Sequence, residues 1–310
     1  MLNLFYSNRL QTWPLAWQGI FWKVVSSLCF ALLNCIVRYL RGGSSLYIAL
    51  PLPTYVLDFF QNLFAVLVLL PWLIEKRKFL QIPQTPGLCF LHATRVITGL
   101  LGVGAWYFAF HYLPVAQCLA LNFLGPIFTA LGAAVFLKEK LGKARKFAIL
   151  ISFGGAFLVN RPDLKLGTAP IESYYTLFPI LAAFCFAITN LLSRKLSLQG
   201  ESPERLTLIL LVWTLPLSLL PASQTWITPT MEHWPWLLLL GALAALAHFA
   251  YNKAYALAEV SFLLPFGFCK YLASISLAYW IFGEFPYAWE FWLGSAIMLL
   301  SLGLLSLARP

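Results

Sequence analysis

A ten-residue pattern occurs twice in the chain. Cys29-Phe30-Ala31-x-x-Asn34-x-x-x-Arg38 returns 156 positions later as Cys185-Phe186-Ala187-x-x-Asn190-x-x-x-Arg194. Each copy lies inside an apolar run long enough to cross a bilayer, so the chain reads as two related halves that both sit in the membrane. Hydrophobic residues fill 61% of the 310 positions and charged residues 10%, which excludes a soluble domain. A window of about 20 residues finds ten spans: 17–39, 55–74, 88–110, 115–137, 147–159, 173–192, 206–220, 234–255, 260–282 and 289–307. In hydrocarbon each backbone N–H and C=O must be bonded within the protein, and runs of this length satisfy that as helices. The expected fold is an all-α membrane protein with ten transmembrane helices. The connections are too short to build a soluble core, so function has to reside in the bundle.

The formal charge of +10 is explained by its placement. Lys76, Arg77 and Lys78 follow the second span, Lys138, Lys140, Lys143, Arg145 and Lys146 follow the fourth, and Arg194, Lys195 and Arg205 lie between the sixth and seventh. The alternate loops hold only Arg38, Arg41, Arg161 and Lys165. By the positive-inside rule both termini are cytoplasmic and the protein belongs in the cell inner membrane; no nucleic-acid partner is expected. The six cysteines all fall within spans and form no C-x-x-C pair, so they read as small core residues. Trp13, Pro14 and Trp17 mark a retained interfacial anchor, with no cleavage site before the first span.

The duplication extends beyond the first span. At an offset of 145, Val115 matches Val260 and Glu139 matches Glu284. The offset falls because the first half carries extra residues, which the loop 42–53 can hold. The expected organisation is a cytoplasmic segment 1–16, a first repeat 17–159, a linker 160–172 and a second repeat 173–307. Five spans is an odd number, so the second repeat enters the membrane upside down. Two inverted five-helix repeats, rocking about a midplane site, are the architecture of alternating access.

At this point the chain resembles the drug/metabolite transporter superfamily, in its ten-helix EamA-type branch. The resemblance rests on the paired repeats, Arg95 early in the third span, Asn122-x-x-x-Pro126 in the fourth, and Glu139 and Glu284 closing the fourth and ninth. Within that branch, His92-Ala-Thr-Arg95, Ser223-Gln-Thr-Trp-Ile-Thr-Pro229 and Ala278-Tyr-Trp-Ile-Phe-Gly-Glu284-Phe-Pro286 are similar to the S-adenosylmethionine uptake permeases of obligate intracellular bacteria. The resemblance implies a small-molecule substrate in a lipid bilayer; it leaves a homodimer open.

Charges inside a bilayer are costly, which makes each one a candidate for function. Lys270 sits near the middle of the ninth span, beside Pro265-Phe-Gly267, where a kink would free backbone carbonyls. It either meets a substrate carboxylate or bonds those carbonyls. Arg95 either grips a carboxylate with its planar fork or snorkels to the headgroups. Asn34 and Asn190 hold equivalent places and serve either substrate or helix packing. Glu139 and Glu284 read as structural or gating groups at helix ends. Asp58, near an end of the second span, reads as interfacial, with a coupling role as the alternative. His92, His111 and His248 have no metal-site spacing. Aromatic residues gather where the halves should meet: Trp106, Tyr107 and Phe108, then Phe249, Tyr251 and Tyr255, then Phe266, Phe268 and Tyr271. Such rings suit an adenine by stacking and a sulfonium by cation–π attraction.

The expected function is a secondary transporter or exchanger for a small zwitterionic metabolite, with S-adenosylmethionine taken up in exchange for a related product as the specific form. An amino-acid or metabolite exporter is the alternative. An intramembrane enzyme is disfavoured, since the sequence has no H-E-x-x-H, no paired intramembrane aspartates and no nucleophile beside a base. No G-x-x-x-x-G-K-[ST] is present for ATP, and neither cofactor nor metal is expected.

Overall fold

A computed structural model of the chain describes residues 14–42, 50–75, 85–113, 115–122, 124–136, 174–258, 265–283 and 289–307, with isolated positions between 147 and 158 and at 263. Among them the regular structure is helical: α1 (Leu15–Leu40), α2 (Thr54–Glu75), α3 (Pro86–Tyr112), α4 (Val115–Asn122), α5 (Leu124–Phe136), α6 (Leu177–Leu198), α7 (Pro203–Gln224), α8 (Trp234–Leu257), α9 (Phe268–Phe282) and α10 (Trp289–Leu307). Six of these, α1, α2, α3, α6, α7 and α8, are long and apolar enough to cross a membrane. The fourth expected span is shared by α4 and α5. Most of the fifth lies outside the described residues, as do Glu139 and Glu284.

Local chemistry sets several helix ends. Pro86 and Pro203 occupy first turns, where a missing N–H costs nothing, and Ser202 accepts the N–H of Arg205 at 3.2 Å. Gly283, at φ 69°, closes α9 in the left-handed conformation. The ninth expected span is not one continuous helix. A 3₁₀ turn at Pro265–Gly267 precedes α9, so Lys270 stands in the first turn of a new helix and not mid-helix. Pro265 has no N–H for a continuous ladder, which accounts for the break.

The principal packing pairs are α1 with α8 and α3 with α6, followed by α2 with α8 and α7, α5 with α6, and α1 with α9. Side-chain contacts fix the directions. Asn34 meets Trp106 and Arg38 meets Phe110, so α1 and α3 run parallel. Thr98 meets Thr189 at 2.9 Å, the Phe108 and Phe178 rings lie 4.5 Å apart, and Tyr112 stacks on Tyr175 at 3.9 Å, so α3 and α6 run antiparallel. It follows that α1 and α6, which carry the repeated pattern, point in opposite directions.

Polarity is arranged inside out relative to a soluble protein. Leu28, Phe90, Leu101, Leu181 and Leu220 face outward, while Ser26, Asn34, Asp58, Gln61, Arg95, Asn252 and Ser274 are buried among the helices. Lipid satisfies no polar group, so these have to find partners within the bundle. Small residues let backbones come close enough to do so. A Cβ on Gly241 of α8 would lie 2.3 Å from Phe64 Cβ and 2.8 Å from the Ala65 nitrogen of α2.

At the end of the bundle that contains Arg38, the halves are tied by His233. The Thr230 N–H donates to Nδ1 at 3.0 Å, which leaves the proton on Nε2 to donate to the Leu50 carbonyl at 2.9 Å.

Because the Phe64 Cβ and α2 backbone, which no rotamer change can move, face Gly241, Gly241→Val should push α8 from α2 and destabilise the protein by about 1–3 kcal/mol. Unfolding of the purified variant in mixed detergent micelles measures this, and a midpoint equal to that of the unaltered protein would refute the close contact.

Candidate functional site

One stripe of α1, formed by Lys23, Ser27, Phe30 and Asn34 at alternating spacings of four and three, faces the interior. Its members reach three other helices. The Lys23 ammonium donates to the Tyr255 hydroxyl at 3.0 Å and lies 4.6 and 4.7 Å from the ring centroids of Tyr251 and Tyr255 on α8. Its stem passes Gly267, where a Cβ would stand 3.8 Å from Lys23 Cε. Ser27 donates to the Phe266 carbonyl at 3.4 Å, satisfying backbone in the 3₁₀ turn.

Asn34 joins three helices with a single amide. Its oxygen accepts the Trp106 indole N–H from α3 at 3.1 Å, and its nitrogen donates to Ser274 of α9 at 3.4 Å. Ser274 lies one turn beyond Lys270, whose ammonium is 5.6 Å from the Trp106 ring centroid. Phe110 and Phe186 flank the same indole at centroid distances of 4.9 and 6.5 Å. Trp106, Lys270 and Asn34, all expected from sequence, thus come together, while Tyr251, also expected, lies beside Lys23. Lys23 stands about three turns from Asn34 on α1, with its stem at Gly267, three residues before Lys270, and the two positive charges oppose each other. Among the described residues neither ammonium has a carboxylate within ion-pair distance. Lys23 carried a signal that the sequence reading passed over: a charge seven residues into the first span.

The other candidates lie elsewhere. Tyr107 points to α2, where its hydroxyl donates to Gln61 Oε1. Tyr271 shares a 2.6 Å hydrogen bond with Ser295 of α10. Asn190 sits on α6 one turn past Phe186, and Phe268 opens α9 with its side chain outside the described residues. Arg95 is 1% exposed at the opposite end of the bundle from Arg38. It donates to Ser193 Oγ at 3.2 Å and to the Leu206 carbonyl. Nearby, Glu201 is 3.1 Å from Arg205 and 4.0 Å from His92. Arg38 donates to the Phe110 and Leu113 carbonyls, satisfying the open C-terminal end of α3. The amide of Asn34 and the guanidinium of Arg38 therefore hold helices together whatever else they touch.

Chemically, these residues offer two ammonium donors, unneutralised among the described residues, and three aromatic faces, with hydroxyl and amide groups beside them. Such a set suits a planar molecule rich in acceptors. Comparison with known proteins shows what the chain is similar to. The model of the EamA-like transporter family matches twice, over residues 17–161 and 173–307. A riboflavin transporter of Vibrio cholerae is 34% identical over 297 residues, covering 93% of this chain and 93% of its own. A riboflavin transporter of Rhizobium johnstonii is 34% identical over 284 residues, covering 91% and 88%. An S-adenosylmethionine uptake transporter of Rickettsia prowazekii is 26% identical over 262 residues, covering 84% and 86%. One crystal structure shares the fold with a TM-score of 0.62 at 17% identity, over 94% of this chain and 95% of that one.

Asn34→Leu should leave the buried Trp106 N–H without its acceptor and lower stability by about 1–3 kcal/mol. Thermal unfolding followed by tryptophan fluorescence reads the loss; an unchanged midpoint would remove Asn34 from the framework.

Proposed function

The chain belongs to the EamA-like transporter family, and we propose that it carries riboflavin, or a close flavin, across the bacterial inner membrane as a secondary transporter. It is a membrane transporter of the drug/metabolite transporter superfamily; the substrate is our reading. The observation that carries it is the pair Lys23 and Lys270, unneutralised among the described residues and bordered by Trp106, Tyr251 and Tyr255. An isoalloxazine ring is planar, uncharged at neutral pH and edged by carbonyl oxygens and ring nitrogens. Ammonium groups donate to that edge, aromatic side chains take the faces, and a nearby positive charge stabilises its electron-rich N1–C2 region. The two relatives at 34% identity are named riboflavin transporters, which supports the same substrate.

S-adenosylmethionine uptake, in exchange for a related product, is the second reading. It is supported by relatives at about 26% identity and by rings that would attract a sulfonium. Two ammonium groups at the same place oppose it. A sulfonium and an α-ammonium would both approach like charges in a poorly solvated site, and only the methionyl carboxylate would gain.

For the architecture we propose ten transmembrane helices in two inverted repeats, working by alternating access. The opposite directions of α1 and α6 support this, as does the way packing pairs exchange: α1 on α8 and α6 on α3, α1 on α9 and α6 on α5. Tyr107 and Asn252, separated by the repeat offset of 145, bond to Gln61 of α2 and Thr207 of α7. Loop charge supports cytoplasmic termini, which makes the Arg95 end of the bundle the inner one. In this reading Lys270, Lys23, Trp106, Tyr251 and Asn34 meet substrate. Arg95, with Ser193 and Glu201, closes the inner side.

Uptake of labelled riboflavin into proteoliposomes tests the substrate, with unlabelled riboflavin and S-adenosylmethionine as competitors. Saturable uptake blocked by riboflavin is expected, and Lys23→Met and Lys270→Met should each weaken affinity about tenfold, near 1.4 kcal/mol. Saturable uptake of S-adenosylmethionine with none of riboflavin would establish the second reading instead.

A further inference from the structure

Asp58 was expected at an interface, and it is 1% exposed, one turn into α2. Its immediate surroundings are neutral. Asn62 Nδ2 donates to Oδ1 at 3.2 Å and to the Asp58 main-chain carbonyl at 2.7 Å. The neighbouring Gln61 oxygen is already engaged by the Tyr107 hydroxyl. The second carboxyl oxygen, Oδ2, has no hydrogen-bond partner among the described residues.

Among the described residues, the stretches of helix packed on α2 around Asp58 bring no counter-ion. α7 from Thr214 to Gln224 and α8 from Trp234 to Ala244 contain no titratable side chain. α3 contributes Tyr107, and further on His111 and Tyr112, which are exposed. Among the described residues the arginines and the histidine near this end are engaged elsewhere: Arg38 with the Phe110 and Leu113 carbonyls, Arg41 with the Leu52 carbonyl at 3.2 Å, and His233 with Leu50 and Thr230. A lone carboxylate in such a setting carries a desolvation cost that nothing nearby offsets. A metal ion would need several more oxygen ligands than this corner offers. A proton needs only the open oxygen.

We propose that the Asp58 carboxyl is the proton-binding site of this transporter, loaded from the Arg38 end of the bundle and emptied as the cycle proceeds. Asp58 is about 6 Å along α2 from its first residue at 1.5 Å per residue, a short path to that aqueous face. The inference rests on the transporter reading, whatever the choice of substrate. The site is distinct from the lysine pair, so the protein can hold a proton and an acceptor-rich substrate at once.

Infrared titration of the reconstituted full chain tests this without any substrate. The chain has two aspartates, Asp58 and Asp163, so carbon-13 labelling of aspartate carboxyls isolates their bands with no substitution. A titrating carboxylic C=O band that shifts on labelling and disappears in Asp58→Asn is expected. Its absence from the labelled, unsubstituted protein overturns the proposal even where the variant fails to fold. A second measurement uses an inward proton gradient imposed on riboflavin-transporting vesicles, which should accelerate uptake severalfold in the native protein and not in Asp58→Asn. Equal acceleration in both, or in neither, also overturns it. If riboflavin is not exchanged at all, the flavin reading fails and the infrared band alone decides the proton site.

Discussion

Lipid tails offer no hydrogen-bond partner, so every polar side chain within this bundle has to find one on its own helix or a neighbour. That requirement fixes register as well as composition. Thr98 can meet Thr189 only when α3 and α6 hold one vertical offset, and Asn34 can bridge Trp106 and Ser274 only when α1, α3 and α9 lie at a common level. Arg38 extends the same logic to backbone, with its guanidinium occupying carbonyls that the end of α3 leaves open. Dispersion between close backbones supplies the attraction, and the polar contacts determine which close packing is adopted.

Much of this was legible in the sequence, because hydropathy and duplication are properties of long stretches. The helical class and the placement of most described helices followed from runs of apolar residues. Asn34, Trp106 and Lys270 were singled out by polarity or aromatic clustering and are neighbours in space. What eluded the sequence was angular position about each helix axis. Tyr107 stands one residue from Trp106 and turns about 100° away, to α2. Tyr271 follows Lys270 and turns to α10 in the same way. A window that averages over twenty residues is blind to that angle. It also treated Asp58 as interfacial from its distance along the helix, when burial depended on which neighbours flanked it. Lys23 stands out only by its place, since a lysine seven residues into an apolar run can equally be a charge that reaches the interface.

The cations within the bundle fall into two kinds of setting. Arg38 and Arg95 donate to carbonyls or hydroxyls of the protein itself, so they hold helices together. Lys23 and Lys270 meet mainly ring faces and one phenol, and their repulsion is not offset by any acid among the described residues. A cationic pair held in this way favours whatever arrives with lone pairs to share. Selectivity in this protein then derives from an electrostatic imbalance that the fold maintains and an incoming molecule relieves.

The 3₁₀ turn ahead of α9 adds to that imbalance. Breaking the ninth span at Pro265–Gly267 creates a helix start inside the bundle, and no side chain caps its first turn. The peptide dipoles of α9 therefore present their positive pole beside Lys270, at the level where Ser27 meets the turn. Unlike an ammonium group, that pole cannot be neutralised by losing a proton. The site keeps a positive bias at any pH the membrane experiences, and its preference for electron-rich molecules is built into the backbone.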